Sequence, residues 1–318
     1  MIPSDGHRLE ALCLRSSWPT RGALSADPVA SSHSIIEASI KRVPLHVDRC
    51  MSFETEFEHA IHSGELELHY QPKLNLQTSL LSGAEALVRW RSPTRGVILP
   101  AEFISLAEES GLILPLGEWV FDEACRQVAR WRDRDGLSIP IAVNLSPAQL
   151  CVPYPTETIR TLLERYQLGP DVIEVEVTES AGLARSCAAD NLCKLADLGI
   201  RLAIDDFGSG YSNLNLLARL PLSTLKIDRS LISGLANPRE GAIVNAIIDL
   251  THVLGMKTVA EGVETPGQLA ALYAAECDDV QGNLIAQPLE PAAFASWART
   301  ARHFTHGLHR PAAARTRH

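Results

Sequence analysis

The sequence contains no apolar run long enough to cross a membrane, since none approaches the roughly 18 residues that a spanning helix needs. It also has no excess of basic residues. The net charge is -9 with histidine neutral, which argues against a DNA-binding protein. Disorder is excluded too, because 46% of the 318 residues are hydrophobic, enough to build a core.

Cysteine is also sparse. The seven cysteines form no Cys-x-x-Cys pair, and their number is odd. This pattern argues against a zinc site and favours reduced thiols over a framework of disulfides. The N-terminal segment has charged residues inside any apolar stretch, which is unlike a secretory signal. We therefore expect a cytoplasmic protein with no membrane span.

Three regions of the chain differ in composition. Residues 1–50 are rich in serine, proline and alanine without a sustained period, and residues 299–318 contain five arginines and no acid. We interpret both as loosely ordered extensions of one folded domain over 51–298. The basic tail either binds an anionic partner or is simply solvated. Met51 precedes a clear helical pattern, so it is an alternative start of translation.

The middle region alternates short apolar runs with longer amphipathic segments, which is typical of repeated β-α units. Eight strands are predicted, at 66–74, 81–90, 139–146, 172–179, 201–207, 224–231, 256–263 and 278–286. Helical patterns between them include 103–110, 117–133, 155–167, 187–198, 238–254 and 266–275. The first two strands are too close for a helical crossover, so they form an antiparallel hairpin. The sequence therefore predicts an α/β fold, a modified (β/α)8 TIM-like barrel with an antiparallel first strand.

Polar side chains stand late in seven of these strands. They are Glu85, Asn144, Glu176, Asp205, Asp206, Lys226, Glu261 and Gln281. In such a barrel the C-terminal strand ends form the face that holds the active site. One such residue alone is more simply a helix cap or turn former, but several buried carboxylates together require cations or protons. Oxygen donors without histidine or cysteine favour Mg²⁺ or Mn²⁺, and their number suits two ions that promote phosphoryl displacement.

Two cationic side chains lie among these acids. Lys226 is no metal ligand while protonated, but it can hold an attacking water or neutralise developing charge. Arg89 follows Glu85 by four residues, so strand alternation places both on one side. Its guanidinium either clamps a phosphate through two hydrogen bonds or pairs with the acidic rim.

Eight short motifs occur in order along residues 51–295. They are YQPKL (70–74), EALVRW (85–90), NLS (144–146), EVTES (176–180), DDFGSGYSNL (205–214), LKIDRS (225–230), AEGVET (260–265) and QGNLIAQPL (281–289). With these motifs the chain resembles the EAL-domain family, whose active members are cyclic di-GMP phosphodiesterases. The resemblance implies a barrel with an antiparallel first strand and a homodimer. Any regulatory partner is left unidentified.

The resemblance also implies a role for each matching position. One cation would be held by Glu85, Asn144, Glu176 and Asp205, and Asp205 would bridge to a second, completed by Asp206 and Glu261. The implied catalytic residues are Glu85, Lys226, which positions the attacking water, and Glu261, which helps to deprotonate it. The implied substrate-binding residues are Gln71, Leu87, Arg89 and Gln281. Glu179, Gly208, Ser209 and Gly210 match a loop pair that couples metal binding to dimer contacts, with an ordinary turn as the alternative for the glycines.

The implied reaction is hydrolysis of cyclic di-GMP, in which a metal-bound hydroxide attacks phosphorus and a 3′-oxygen leaves. The product is linear pGpG, and the implied cofactors are two divalent cations, Mg²⁺ or Mn²⁺. One alternative is a catalytically silent cyclic di-GMP receptor, although such members usually lack a metal ligand, the EAL glutamate or the lysine. The other is a barrel glycosidase, which leaves Asn144 and Lys226 unexplained. Asn283 departs from the family's usual aromatic residue, next to the implied base-binding wall.

Overall fold

The computed structural model describes residues 45–152, 155–178, 186–210 and 214–301. These ranges contain the helices α1 Leu45–Ser63, α2 Pro100–Ser110, α3 Ile113–Asp135, α4 Pro147–Leu150, α5 Pro155–Tyr166, α6 Ser186–Asp197, α7 Leu214–Arg219, α8 Arg229–Ser233, α9 Pro238–Val253, α10 Pro266–Ala274 and α11 Pro291–Ala301. A single 3₁₀ turn covers Pro170–Val172. In this part of the chain, no helix is both long and apolar enough to span a bilayer.

The strands form one sheet. They are β1 Leu66–Asn75, β2 Leu81–Ser92, β3 Gly96–Ile98, β4 Ile141–Asn144, β5 Ile173–Thr178, β6 Arg201–Phe207, β7 Thr224–Ile227, β8 Lys257–Ala260 and β9 Asp279–Val280. Their order is β1-β9-β8-β7-β6-β5-β4-β2-β3, and β1 also pairs with β2, which closes a barrel. Strand β1 runs antiparallel to both of its neighbours in the ring, whereas β2 and β4 to β9 pair in parallel. The predicted barrel with an antiparallel first strand is confirmed.

Two strands differ from the prediction. Strand β3 was not predicted, and it pairs only with β2, so it extends the first hairpin outside the ring. Strand β9 has two residues instead of the nine predicted over 278–286. The chain turns sharply at Gly282, where an added Cβ would lie 2.3 Å from the backbone of Val263. This close approach to the segment after β8 ends the strand early.

The helix starts follow from proline and capping residues. Helix α4 begins at Pro147, directly after the cap Ser146, whose side chain accepts a hydrogen bond from the Gln149 backbone. Helix α10 begins in the same way, with the cap Thr265 before Pro266. Helix α1 begins at Leu45, six residues before the predicted boundary, and Pro44 precedes it. The starts of α4 and α10 fix where the chain turns back after the C-terminal ends of β4 and β8.

The apolar core lies between the barrel wall and its helices. Phe57 of α1 packs against Trp90 of β2 and Phe103 of α2, with ring centroids 5.2 Å and 4.9 Å apart. On the other side of the hairpin, Trp131 of α3 stacks on Phe294 of α11 at 4.9 Å. With Tyr70 of β1 packed against Trp131 at 4.7 Å, these aromatic rings hold β1 and β2 against four helices.

The interior of the barrel is charged instead of apolar. Lys73 of β1 is 4% exposed, and its Nζ donates to Glu174 Oε1 at 2.9 Å and Glu176 Oε1 at 2.7 Å. The hydroxyl of Thr224 donates to Glu174 Oε2 at 3.1 Å. Burial disfavours the charged glutamate, but Lys73 more than offsets this and lowers the pKa of Glu174 to about 2. Lys73 and Glu174 are therefore both ionised at neutral pH, and Lys73 also holds the Glu176 side chain in place through its second hydrogen bond.

Replacing Lys73 with methionine should destabilise the protein by about 3–5 kcal/mol, because two buried carboxylates lose their shared cation. Urea unfolding followed by circular dichroism measures this loss. Because the pKa of Glu174 is depressed in the folded state, its contribution exists above the unfolded pKa and disappears as the pH falls toward 2. The difference in the free energy of unfolding between wild type and Lys73→Met should therefore become smaller below about pH 4.

Arg160→Met provides the control, because the contacts of Arg160 with Glu157 and Glu164 are on the exposed surface of α5. This variant should unfold at nearly the wild-type urea concentration. Equal stability of Lys73→Met and Arg160→Met would contradict a structural role for the buried lysine.

Candidate active site

Seven neighbouring strands bring the predicted polar residues to one end of the barrel. Glu85 lies in β2, Asn144 ends β4, Glu176 lies in β5 and Asp205 with Asp206 lies in β6. Lys226 lies in β7, while Glu261 and Gln281 directly follow β8 and β9. Parallel strands present their C-terminal ends at the same face, so residues far apart in sequence meet there.

Lys226 occupies the centre of this group. It is fully buried, and its Nζ lies 2.7 Å from Glu176 Oε2, 2.7 Å from Glu261 Oε1, 3.0 Å from Asp205 Oδ1 and 3.5 Å from Glu85 Oε2. Burial alone would lower the pKa of this lysine, but the surrounding carboxylates raise it well above its ordinary value. The ammonium is therefore charged at neutral pH, and it offsets part of the repulsion among the four acids.

Two amide side chains orient Glu85. Asn144 Nδ2 donates to Glu85 Oε1 at 2.9 Å, and Gln281 Nε2 donates to Glu85 Oε2 at 2.7 Å. The Gln281 side chain also donates to Gln71 Oε1 at 2.9 Å. Its own oxygen is buried and accepts no hydrogen bond from the described residues. A buried acceptor of this kind is suited to a water or a cation in the site.

Asp205 and Asp206 are adjacent, yet both contribute to the site. In a regular strand their side chains would point to opposite faces. Here the pairing of β6 with β7 shifts register between Ile204 and Phe207, and Asp206 adopts a left-handed φ of 56°. This backbone conformation is uncommon for a residue other than glycine and is often found at functional sites. The irregularity lets one strand end supply two carboxylates.

The carboxylates fall into two groups that can each hold a metal ion. One oxygen from each of Glu85, Glu176 and Asp205 lies within 4.8 Å of the others, and the same is true of Asp205, Asp206 and Glu261. Asp205 belongs to both groups, as the predicted bridging ligand should. The donors are all oxygen, which fits a hard divalent cation such as Mg²⁺ or Mn²⁺.

Glu261 has a high proton affinity for a carboxylate. Burial raises the pKa of its carboxyl to about 8; Lys226 opposes this increase, while Asp205, Glu85 and Glu176 add to it. A carboxyl with a pKa near neutrality can accept and release a proton under physiological conditions. This property agrees with the predicted role of Glu261 in deprotonating a water.

The opening above the acids is lined by three of the four predicted substrate-binding residues, Gln71, Leu87 and Gln281. Gln71 Nε2 donates to Ala286 O at 3.1 Å, which holds its amide in place. Arg89 is half-buried, and its guanidinium donates only to its neighbour Val88 O at 2.9 Å. Among the described residues no carboxylate pairs with Arg89, so the ion-pair interpretation is not supported. The guanidinium is available for an anionic ligand.

The acids open into a cleft of about 410 Å³. Besides the predicted residues, it is lined by Arg229, Glu264, Asn283 and Pro288. The sequence interpretation missed Arg229, which pairs with Glu264 at 3.0 Å and lies against Gly262. Its place in the LKIDRS motif, directly after Asp228, was the available signal. Asn283 lies in the wall, as expected from its position in the motif.

A second cavity of about 280 Å³ adjoins the cleft, and Leu87 and Asn144 line it. Its other walls come from α2 and α3, with Ile104, Leu116 and Val120 among the apolar side chains. Glu108 and Gln149 add polar groups. An apolar slot with a few polar groups suits a flat, hydrogen-bonding ring. Sequence patterns did not indicate this cavity, because its residues have the spacing of ordinary core positions.

The predicted regulatory loop is described only in part. Glu179 lies outside the described residues. Gly208 has a φ of 95°, and an added Cβ would lie 2.3 Å from Leu231 Cδ1, so this position requires glycine. Ser209 and Gly210 are exposed, and the Ser209 backbone donates to Asp206 O at 3.1 Å. The loop thus starts directly from Asp206, while coupling to dimer contacts stays a prediction.

Comparison with known proteins adds independent information. Residues 54–288 match the EAL domain family. The chain is 43% identical over 236 residues to the bifunctional diguanylate cyclase/cyclic di-GMP phosphodiesterase MucR of Pseudomonas aeruginosa, covering 74% of this chain and 34% of that protein. It is 38% identical over 246 residues to the cyclic di-GMP phosphodiesterase PdeR of Escherichia coli, covering 77% and 37%. The chain spans about a third of the length of the curated relatives that it matches.

A solved structure is also similar to this chain. The PaMucR phosphodiesterase in complex with c-di-GMP superposes with a TM-score of 0.72 at 42% identity, over 76% of this chain and 98% of that one. The family match over residues 54–288 includes every polar residue of the site. The chain belongs to the EAL domain family.

Proposed function

We propose that the chain is a phosphodiesterase that hydrolyses cyclic di-GMP to linear pGpG. The observation that supports this most strongly is the position of the buried Lys226. Its Nζ lies within 3.5 Å of four carboxylates, and all four belong to residues that the sequence predicted for the site. Relatives named as cyclic di-GMP phosphodiesterases and the PaMucR complex with c-di-GMP support the choice of substrate. We place this activity in the domain 51–298, which contains the family match.

The two adjoining cavities suit a nucleotide with two bases. The acidic cleft and the apolar cavity share Leu87 in their linings, so one ligand would extend from the first into the second. A scissile phosphate would lie above the acids with Arg89 beside it, and one guanine would enter the apolar cavity near Glu108. A glycosidase needs neither the apolar slot nor Lys226, so the geometry gives it no support.

The side chains divide the chemical work among them. Lys226 would hold the attacking water and neutralise charge that develops on the phosphate. Glu261 would take a proton from that water, since its pKa of about 8 is close to neutral pH. Arg89 and Gln71 would position the substrate. Asn144 and Gln281 would keep Glu85 in a fixed orientation, through the hydrogen bonds that they donate to it.

We further propose two divalent cations, Mg²⁺ or Mn²⁺, as cofactors. Glu85, Asn144, Glu176 and Asp205 would hold one, and Asp205, Asp206 and Glu261 would hold the other. When bound, such cations make water more acidic and neutralise phosphate charge. A cytoplasmic location, a homodimer and regulation by a further partner stay predictions from the sequence.

Incubation with cyclic di-GMP and Mg²⁺ or Mn²⁺, followed by chromatography, tests the activity. Wild type should release pGpG, and Lys226→Met and Glu85→Gln should each lose about 100-fold or more in kcat. Lys257→Met is the matched control, because Lys257 is exposed at the opposite end of the barrel. Binding without turnover by the wild type would instead establish the receptor alternative, and full activity of Lys226→Met would refute its role.

Calorimetric titration with Mn²⁺ tests the cation sites without relying on activity. Chelator-treated wild type should bind two ions, while Asp206→Asn should bind one, because Asp206 contributes to only one of the two carboxylate groups. The exposed Asp133→Asn is the control and should keep both. A stoichiometry of one in the wild type would contradict the two-ion proposal.

Filling the apolar cavity tests the base-binding assignment. Ile104→Trp should raise KM for cyclic di-GMP about tenfold or more, because the ring of tryptophan occupies space that a guanine needs. The same variant should hydrolyse bis(p-nitrophenyl) phosphate at the wild-type rate, since that substrate has no base. An unchanged KM for cyclic di-GMP would place both bases elsewhere.

A further inference from the structure

The described cysteines differ sharply in accessibility. Cys125 and Cys277 are buried, and burial raises the pKa of each thiol to about 12, so neither reacts readily at neutral pH. Cys151 is half-buried, while Cys187 and Cys193 are exposed. Only these three are accessible to oxidants among the described residues.

Two of the accessible thiols lie side by side, although they are distant in sequence. Cys151 directly follows α4, in the connection after β4, and Cys187 is the second residue of α6, after β5. Helices α4 and α6 pack against each other. The interaction with the Cys151 thiol raises the pKa of the Cys187 thiol above its ordinary value, as expected for neighbouring thiols. The fold therefore brings together two cysteines that the sequence spacing does not pair.

An asparagine clamps the backbone around Cys151 onto the helix that contains Cys187. Asn191 lies four residues after Cys187, so both occupy the same face of α6. Its Nδ2 donates to Leu150 O at 2.7 Å and to Val152 O at 3.1 Å, the two carbonyls that flank Cys151. Asn191 is 6% exposed, so these hydrogen bonds are shielded from water. This contact defines the relative position of the thiols independently of their own interaction.

We propose that Cys151 and Cys187 form a redox modification site, closed as a reversible intrachain disulfide by a peroxide. One thiolate attacks a peroxide oxygen and the O–O bond breaks. Hydroxide departs, and the attacking sulfur becomes a sulfenic acid. The second thiolate attacks that sulfur, an S–S bond forms, and hydroxide leaves again. Together with the two thiol protons, hydrogen peroxide is reduced to two waters. A small dithiol such as dithiothreitol reverses the change by thiol–disulfide exchange.

The position of the pair gives the modification a specific structural effect. The bond would join the connection that follows Asn144 in β4 to the one that follows Glu176 in β5. Both residues are among the proposed ligands of one cation. Oxidation would thus covalently link two neighbouring connections at the catalytic end of the barrel, while the metal-binding residues themselves stay unchanged.

Peptide mapping of the full chain tests the proposal. The protein is treated with hydrogen peroxide, its free thiols are alkylated, and it is digested without reduction for mass spectrometry. The wild type should give a linked Cys151–Cys187 peptide, two hydrogens lighter than the sum of its parts, which dithiothreitol removes. Cys193→Ser should give the same peptide, because Cys193 lies on another face of α6. Cys187→Ser should not give it.

Removal of the Asn191 side chain tests whether the fold holds the two cysteines together or they meet only by chance. Asn191→Ala should reduce the yield of the linked peptide severalfold at equal peroxide exposure, since the Leu150 and Val152 carbonyls that flank Cys151 lose the hydrogen bonds donated by Asn191. Two results would overturn the proposal. One is separate alkylation of Cys151 and Cys187 in peroxide-treated wild type, and the other is predominant linkage of either residue to Cys193.

Discussion

The structure depends on one constraint, which is that a fully buried ammonium group must balance several buried carboxylates. Lys226 lies within 3.5 Å of four of them, and Lys73 holds Glu176 from the opposite side. Unpaired, such acids would be too costly to bury or would become protonated. The closed barrel makes their burial tolerable by placing cations and acids on neighbouring strands, so the charge network of the site is also part of the fold.

The same constraint bears on how an acidic chain would bind the proposed anionic substrate. Divalent cations held by the acids would add to the charge of Lys226, and Arg89 has no acidic partner among the described residues, so the opening would favour a phosphate. Burial raises the pKa of Glu261 to about 8, which in the proposed reaction would let it exchange a proton. In the proposed reaction, one network of side chains would thus bind the cations, attract the substrate and transfer the proton.

Much of this was predictable from the sequence, because parallel strands end at one face and the polar residue late in each strand is visible in the motifs. The bulge at Asp205 and Asp206 was not, since strand alternation places adjacent residues on opposite faces. The pairing of Lys73 with Glu174 was also missed, because a charged residue inside a strand looks like a solvent-facing one. Cys151 and Cys187 meet only through the packing of α4 on α6, which no local pattern encodes.

The central claim is that this carboxylate and lysine network directs water onto a phosphodiester of cyclic di-GMP. Turnover in water enriched with oxygen-18 tests it most directly, with mass spectrometry of the product. The account predicts pGpG with one labelled oxygen in its 5′-phosphate, formed with divalent cations and absent after chelation. Cyclic di-GMP that is bound but recovered intact and unlabelled, with the same cations present, would contradict it.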